Sequence, residues 1–436
     1  MHILSLFLTS FNISPVSLKD SRLSLDAFSV AGLFGGAETV SAMATVHVYE
    51  GRKYLGWHNS PGAYGVSQRL SQLAASRFSN GLYPGPAADP TTLVGVEALK
   101  GPKFKSFTSG TVLPHSGHLG ALVMNECKEM RGESVPGRER KGAELFVAVL
   151  DLARVPKYEM NPRLPKTCSS LLASIPIVTS IATCALSGLY GDWYSCGTIF
   201  LGMTTGGIAA WALGSGRLTF THPEPAPSCP LGDGILEGDS GVAVLLGQEG
   251  AVNAITRGRF SLQFRNEREF KNIRIAAALL TLQFIAQLLL VPQGSLFGQL
   301  MFVTSLAVSW GYNSWLSSLD KEKIQREILI KHILDNPERR KFNVTTRTAL
   351  AVLVCLILSP EDPERVLQDL VPNDTKVWHR FRRGIAERMT TGKSAFTLSK
   401  SDLDDLSDED RRLLETLFQD AEGARKGYAE YFPKRG

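Results

Sequence analysis

The fold is decided by two neighbouring runs that contain no charged residue, SSLLASIPIVTSIATCALSGL (169–189) and WYSCGTIFLGMTTGGIAAWAL (193–213). A helix needs about 20 apolar residues to cross a bilayer, because the hydrocarbon core is about 30 Å thick and a helix rises about 1.5 Å per residue. Both runs meet this length. Only residues 190–192 separate them, so together they predict a transmembrane helical hairpin.

A second pair of apolar runs follows, IAAALLTLQFIAQLLLV (275–291) and LFGQLMFVTSLAVSWGYNSWL (296–316). The first of these is short, but Lys271 and Arg274 precede it and can extend their charges to the membrane surface. The four runs predict an α-helical membrane protein with about four transmembrane helices in two hairpins. The alternative is a set of buried helices in a large soluble core, but two closely joined pairs of uncharged runs favour the membrane.

The mean hydropathy of the chain is near zero because its apolar runs are averaged with polar flanks. These flanks complete the predicted domain organisation. Strands and short helices are expected in an N-terminal cytosolic region, and a β-hairpin is expected between the two membrane hairpins. The last region is predicted to be helical. The predicted regions are 1–168 (N-terminal cytosolic), 169–213 (first hairpin), 214–274 (cytosolic loop), 275–316 (second hairpin) and 317–436 (helical C-terminal cytosolic).

Lysine and arginine predict the orientation, because loops rich in these residues remain in the cytosol. The connectors 190–192 and 292–295 contain neither residue, whereas the segments flanking the hairpins contain many. Both termini and the middle loop are therefore predicted to be cytosolic, in a membrane whose identity the sequence does not indicate.

Periodicity and turn residues predict the local elements of the flanks. The predicted strand elements are a hairpin over 42–56 around Glu50-Gly51, a strand over 145–152, and a hairpin that joins 242–246 to 252–264. The predicted helices cover 65–77, 321–334, 343–358, a stretch from Asp374 to about Met389, and 408–418 with Ser407 as N-cap.

The apolar runs contain mild polar groups and no ionised residue. Gln283 and Gln287 lie one turn apart on the third run, and Gln299 lies early in the fourth. These amides can form hydrogen bonds between helices or can line a pathway for a solute. Gly202 and Gly206 form a GxxxG pattern, which predicts a close approach between helices.

Two short motifs resemble catalytic signatures and lack the residues that chemistry needs. Gly238-Asp239-Ser240-Gly241 matches the residues around a serine nucleophile, but no motif supplies its base. Gly392-Lys393-Ser394 resembles the end of a phosphate-binding loop, but Glu387 stands where that motif needs glycine. We predict that the protein is not an enzyme and that Ser240 is not a nucleophile.

Composition and spacing predict no metal, cofactor or nucleic-acid site. The six cysteines form no CxxC pair, and His115 and His118 lie in a stretch typical of a solvated loop. A net charge of +5 without a dense basic block excludes nucleic acid as the main partner. The basic aromatic residues between Trp378 and Arg383 are expected either on an anionic membrane surface or, more simply, on a solvated helix with core aromatics.

Three further stretches resemble a group of uncharacterised multi-pass membrane proteins of filamentous fungi: QLMFVTSLAVSWGYNSWLSSLDKEKIQREI (299–328), EGAVNAITRGRFSL (249–262) and LVPNDTKVW (370–378). The resemblance covers the C-terminal half to two thirds of the chain. It implies membrane residence, and it implies no activity and no functional residue.

The sequence therefore predicts a non-enzymatic membrane scaffold or interaction platform. Its expected partners are the lipid bilayer, cytosolic proteins and further copies of itself. The alternative is a small-solute channel or transporter that uses Gln283, Gln287 and Gln299.

Overall fold

A computed structural model describes residues 34–47, 49, 51–74, 100–138, 145–157, 159–160, 169–264, 267–393, 395–399 and 402–432. The chain divides into two compact units, and each unit is built from three separated segments. The helical unit comprises Met1–Glu97, Asn161–Thr219 and Phe260–Lys321. The sheet unit comprises Ala98–Met160, Phe220–Arg259 and Glu322–Gly436.

The described strands form two sheets. In chain order they are β1 (Lys103–Ser106), β2 (Val112–Leu113), β3 (Glu133–Ser134), β4 (Leu145–Leu152), β5 (Glu159–Met160), β6 (Arg217–Thr221), β7 (Gly234–Glu237), β8 (Gly241–Gly247), β9 (Arg259–Gln263) and β10 (Glu338–Val344). The larger sheet has seven strands in the order β2-β1-β7-β8-β4-β10-β3, and the smaller has the order β5-β6-β9.

The described helices include four long apolar ones. In chain order they are α1 (Gly36–Ala44), α2 (Ala63–Leu73), α3 (His118–Glu129), α4 (Ser169–Leu172), α5 (Ser174–Leu189), α6 (Trp193–Leu213), α7 (Glu249–Thr256), α8 (Glu267–Leu290), α9 (Leu296–Ser317), α10 (Lys321–Glu327), α11 (Arg347–Leu358), α12 (Pro363–Leu370), α13 (Lys376–Thr390) and α14 (Asp408–Tyr431). A π-helical turn, Ile328–Ile333, follows α10.

Strand β4 organises the sheet unit. It pairs in parallel with β8 and antiparallel with β10. Its sequence, LFVAVLDL, is buried along almost its whole length, as expected of a strand covered on both faces. One cluster of buried residues joins Val147 and Val149 of β4 to the helices α11 and α14, and includes Phe342, Val352 and Phe418.

Helix termini in the sheet unit are held by side chains. Thr346 caps α11 by accepting a hydrogen bond from the N–H of Ala349, and Ser407 caps α14 in the same way through Asp410. The predicted N-cap Ser407 is thus confirmed. Such a cap contributes about 1 kcal/mol, because it satisfies an N–H that has no partner in the first turn of a helix.

The helical unit is built around α6, which packs against α5, α8 and α9, while α1 packs against α9 and α2 against α8. Asp192 fixes the connection between α5 and α6 and also the connection between α8 and α9. Its carboxylate accepts hydrogen bonds from the N–H of Ser195 at the start of α6 and from the N–H and hydroxyl of Ser295 at the start of α9. One side chain therefore joins these two connections.

The prediction of an α-helical, multi-pass membrane protein with four transmembrane helices is wrong, because the chain contains a seven-stranded sheet and has a mixed α/β fold. By length and composition, two described helices could cross a membrane, Trp193–Leu213 and Arg268–Gln293, and core helices of soluble proteins meet the same criteria. The first predicted span breaks between α4 and α5, which leaves a helix of 16 residues. The fourth predicted span forms a helix of 22 residues, but its polar residues lower its mean hydropathy.

The predicted β-hairpins do not form between the predicted segments, although residues 242–246 do lie in a strand, β8, which forms an antiparallel hairpin with β7. Residues 42–47 are helical rather than extended, and residues 249–256 form α7 instead of a turn and strand. The C-terminal region is not purely helical, since β10 lies beside β4. The strand predicted over 145–152 is confirmed by β4.

Because the two units have separate apolar cores, we expect them to open independently. Phe342→Ala removes a fully buried ring of the sheet unit, which costs about 3–5 kcal/mol. Hydrogen exchange should accelerate by at least about a hundredfold in peptides of β4 and β10 and should remain unchanged in α6. Leu413→Ala, at an exposed position of α14, is the control. Equal acceleration in α6 would contradict independent opening.

Candidate functional site

The outer surface of the helical unit is apolar. On α5, Val178 is 62% exposed, and on α6, Phe200 is 60% exposed. Large apolar side chains also lie outward on α8 and α9. The exposed set is Ile175, Val178, Ile181, Leu186 and Leu189 on α5, Phe200 and Trp211 on α6, Ile275, Leu282, Ile285, Leu289 and Leu290 on α8, and Leu300, Trp310 and Trp315 on α9.

The inner faces of the same helices contain polar residues among buried apolar ones such as Ile199 and Phe302. Most of the polar residues are three, four or seven positions apart, so they lie on one side of each helix. They are Ser180, Thr183 and Ser187 on α5, Ser195, Thr198 and Thr205 on α6, Gln283 and Gln287 on α8, and Gln299, Ser305, Ser309 and Asn313 on α9. A water-soluble helix, by contrast, has its polar residues on the outer face.

A non-helical segment of residues 55–62 enters this polar interior and places Asn59 at its centre. The backbone N–H of Asn59 donates to the hydroxyl of Ser180 at 3.0 Å, and its side-chain amide donates to the hydroxyl of Ser305 at 2.7 Å. The Asn59 side chain is fully buried. Asn59 therefore links the inserted segment to α5 through its backbone N–H and to α9 through its side chain.

Glycines of α6 make room for this segment. A Cβ at Gly202 would lie 2.0 Å from Oδ1 of Asn59, and a Cβ at Gly206 would lie 3.0 Å from the carbonyl oxygen of His58. A Cβ at Gly207 would meet the Trp57 ring. The GxxxG pattern does allow a close approach, but the approaching partner is the segment 55–62 and not another helix.

Several buried amide and hydroxyl atoms have no protein hydrogen-bond partner among the described residues. They are Oδ1 of Asn59, Nε2 of Gln283, Nε2 of Gln287, Oε1 of Gln299 and Oγ of Ser309. The other end of the Gln283 amide accepts from the hydroxyl of Thr205. A buried polar atom without a partner costs about 1–3 kcal/mol, so a cluster of them requires an explanation.

One end of the interior contains a small cavity of about 30 Å³, bordered by Thr39, His58, Ser60, Gly206 and Asn313 among others. Arg52 lies at this end, where it donates to the hydroxyls of Thr45 and Tyr312. Burial, followed by the nearby Arg52, lowers the pKa of His58 to about 4. The His58 imidazole is therefore neutral at pH 7.

The residues singled out from catalytic motifs have structural positions. Ser240 lies in the turn between β7 and β8, where its carbonyl accepts from the N–H of Phe146. Gly392 ends α13 with φ 63°, and its N–H bonds to the Met389 carbonyl, which is the geometry of a helix C-terminus. Ser394 lies outside the described residues.

The two histidines of the 115–118 stretch lie in different surroundings. His118 is hydrogen-bonded to Gln325 at 2.6 Å, and His115 is exposed. Over the described ranges, three histidine, cysteine or acidic side chains nowhere meet as a metal site. The basic aromatic helix is mainly a core element, since Phe381 and Arg382 of α13 are buried and Arg382 donates to the carbonyls of Val371 and Asn373.

Asn59 was not predicted as a functional residue. The signal available in the sequence was the string His58-Asn59-Ser60-Pro61-Gly62, in which polar and turn residues stand directly before a helix. Such a string is typical of a surface loop. Only the packing of 55–62 against the small residues of α6 shows that the loop is buried.

No protein-family model, curated protein or solved structure matches this chain. The resemblance to fungal membrane proteins therefore remains a prediction. The fold and the candidate site define the class: a mixed α/β protein with a separate helical unit that exposes large apolar side chains and buries polar residues among apolar ones.

Two alanine substitutions on α6 should change stability in opposite directions. At Gly197 a Cβ would meet nothing within 4 Å, so Gly197→Ala should stabilise the helix by about 0.5–1 kcal/mol. At Gly202 the Cβ would collide with Asn59, so Gly202→Ala should destabilise by about 1–3 kcal/mol. Thermal melting in detergent measures both. A gain of stability for Gly202→Ala would show that Asn59 is not held there.

Proposed function

We propose that this protein is a non-enzymatic, membrane-associated platform. The helical unit seats its apolar faces in a lipid bilayer, and the sheet unit lies in the cytosol, where other proteins can reach it. The observation that carries the proposal is the exposure of large apolar side chains on all four long helices of the helical unit, which also bury a set of polar side chains.

A lipid bilayer is the environment that suits the exposed apolar side chains of the helical unit. Apolar surface in water costs about 25 cal/mol per Å², and soluble monomers rarely expose a contiguous apolar patch of more than a few hundred Å². Lipid tails are as apolar as leucine, so the cost vanishes in a bilayer. The exposed Trp193 and Tyr194 at the start of α6, and Trp315 near the end of α9, suit the membrane–water interface.

Strand pairing supports a single side for the sheet unit. Its segments come before, between and after the long apolar helices, and β8 and β10 both pair with β4. We therefore infer that all three segments lie on one side of the membrane with which the helical unit associates. Lys271 and Arg274 at the start of α8, and Lys321 and Lys323 after α9, indicate that this side is the cytosol. We therefore propose that the C-terminal helix and the N-terminus also lie in the cytosol.

The sheet unit offers a surface that suits a protein partner. An open groove of about 540 Å³ runs beside α14. Phe396 and Phe418 lie at its base, and Arg138, Glu415 and Lys426 lie along it. An apolar centre with a polar rim is the usual anatomy of a protein–protein contact, and this groove is where we place the platform role.

Membrane association can be tested with lysines on the outer face of α5. Val178→Lys with Ile181→Lys should reduce flotation of the full chain with liposomes, because each lysine in hydrocarbon costs about 2–4 kcal/mol. Leu413→Lys introduces the same change at an exposed leucine of the sheet unit and should float like the wild type. Undiminished flotation of the α5 variant would contradict the proposal.

The platform role can be tested by site-specific photo-crosslinking. A photoreactive residue at Gln419, which lies in the groove, should give discrete crosslinked species in intact cells. One at Arg412, an exposed position on the same helix outside the groove, should give none. If Gln419 yields nothing, or if both positions give the same pattern, the groove is not a partner site.

A further inference from the structure

The small cavity in the helical unit is bordered by a buried cation. Arg52 is 7% exposed, and it is one of the residues that line the cavity of about 30 Å³. In the part of the chain that the structure describes, no carboxylate forms an ion pair with its guanidinium. A charge that is taken out of water is costly unless it is paired, so the charge of Arg52 requires a partner.

The described contacts of Arg52 hold its guanidinium in place without balancing its charge. Nε donates to the hydroxyl of Thr45 at 2.6 Å, and Nη1 donates to the hydroxyl of Tyr312 at 2.9 Å. The Tyr312 ring, 5.5 Å away, is also neutral. A guanidinium carries five N–H groups, and these two bonds use only two of them. The side chain is therefore already positioned, and it still lacks a negative charge and further acceptors.

The rest of the described border would not oppose an anion. It contains no carboxylate, and its polar groups are the hydroxyls of Thr39 and Ser60, the amide of Asn313 and the imidazole of His58. Hydroxyl and amide groups can donate hydrogen bonds to an anion. A negative ion in this cavity would thus meet one positive charge and no negative one among the described residues.

The cavity limits both the size and the charge of this ion. A cavity needs about 10–15 Å³ to hold one water molecule, so a volume of about 30 Å³ has room for a single ion slightly larger than water. It is too small for a phosphate ester or a metabolite with a carboxylate group. One guanidinium balances one negative charge, so the ion should be monovalent.

We propose that the helical unit binds one small monovalent inorganic anion, of the size of chloride, beside Arg52. The anion accepts hydrogen bonds from the guanidinium and neutralises it. Arg52 is bonded to Thr45, directly after α1, and to Tyr312 of α9, so the bound anion stabilises the packing of these elements. The site is independent of the platform role, because it uses the interior of the helical unit and not its exterior or the sheet unit.

Binding can be measured with the full chain in lipid nanodiscs, with gluconate as the only other anion and the chloride NMR linewidth as the readout. The wild type should broaden the chloride resonance. Bromide, which is monovalent and similar in size, should compete and remove the broadening, whereas sulfate at the same ionic strength should not. Absence of broadening, or equal competition by bromide and sulfate, would overturn the proposal.

Variants then locate the site. Arg52→Gln removes the charge and should weaken chloride binding by at least about tenfold, as expected for the loss of a charged hydrogen-bond donor. Arg69→Gln removes an exposed arginine of the same unit and should bind chloride like the wild type. Arg52→Lys, which keeps the charge, should bind more strongly than Arg52→Gln. Wild-type binding by Arg52→Gln, or a loss confined to Arg69→Gln, would overturn the assignment to Arg52.

Melting temperature distinguishes an anion site from an arginine that is balanced within the chain. A ligand that binds only the folded state stabilises it, so a chloride concentration of about a hundred times the dissociation constant should raise the wild-type melting temperature by at least about 4 °C. The melting temperature of Arg52→Gln should not respond to chloride. A wild type that melts at the same temperature in chloride and in gluconate would show that Arg52 needs no anion, and the proposal would then fail.

Discussion

Asn59 holds the interior of the helical unit together. Its backbone N–H donates to Ser180 and its side-chain amide donates to Ser305, so an inserted loop is connected with two different helices. The side chain fits because Gly202, on a third helix, has no Cβ. One residue therefore fixes the relation of α5, α6 and α9. The same helices bury further polar residues and expose large apolar ones.

A second constraint comes from the sheet. Strand β4 is followed by the helices α5 and α6 before β8 pairs beside it, and β8 is followed by α8 and α9 before β10 pairs on the other side. After each pair of long helices the chain must therefore return to the sheet. Asp192, in the connection between α5 and α6, also bonds to Ser295 in the connection between α8 and α9, so one side chain joins the two connections.

Much of the local structure could be predicted where one physical signal dominates. The bounds of α6 follow from an uncharged run between Asp192 and the small residues after Leu213, and β4 follows from a continuous apolar run. Prediction failed where a residue type has two uses. The last helix was predicted over 408–418, but α14 continues to Tyr431, and Gly423 within it admits the carbonyl oxygen of Pro136 at close range.

Strand β10 shows a different kind of failure. Its sequence, ERRKFNV, has the charge of a solvated segment, yet it pairs with β4. The charged side chains find partners at the sheet surface: Arg339 bonds to Glu126, and the ammonium of Lys341 donates to the carbonyls of Lys128 and Met130. No local pattern contains those contacts, because the partners are distant in sequence. For the same reason the sequence could not place Asn59 beside Gln283.

Average hydropathy identified the long helices of the chain but was a poor guide to its overall fold. The directions of the side chains explain both results. Helix α9 is long, but its glutamine, serines and asparagine lower its apolar content. Gln299, Ser305, Ser309 and Asn313 lie inward, while Leu300, Trp310 and Trp315 lie outward. An average over the helix treats both sets alike, although only the outer set meets the solvent. The surroundings of such a helix are therefore decided by its outer face, and the chemistry it can perform is decided by its inner face.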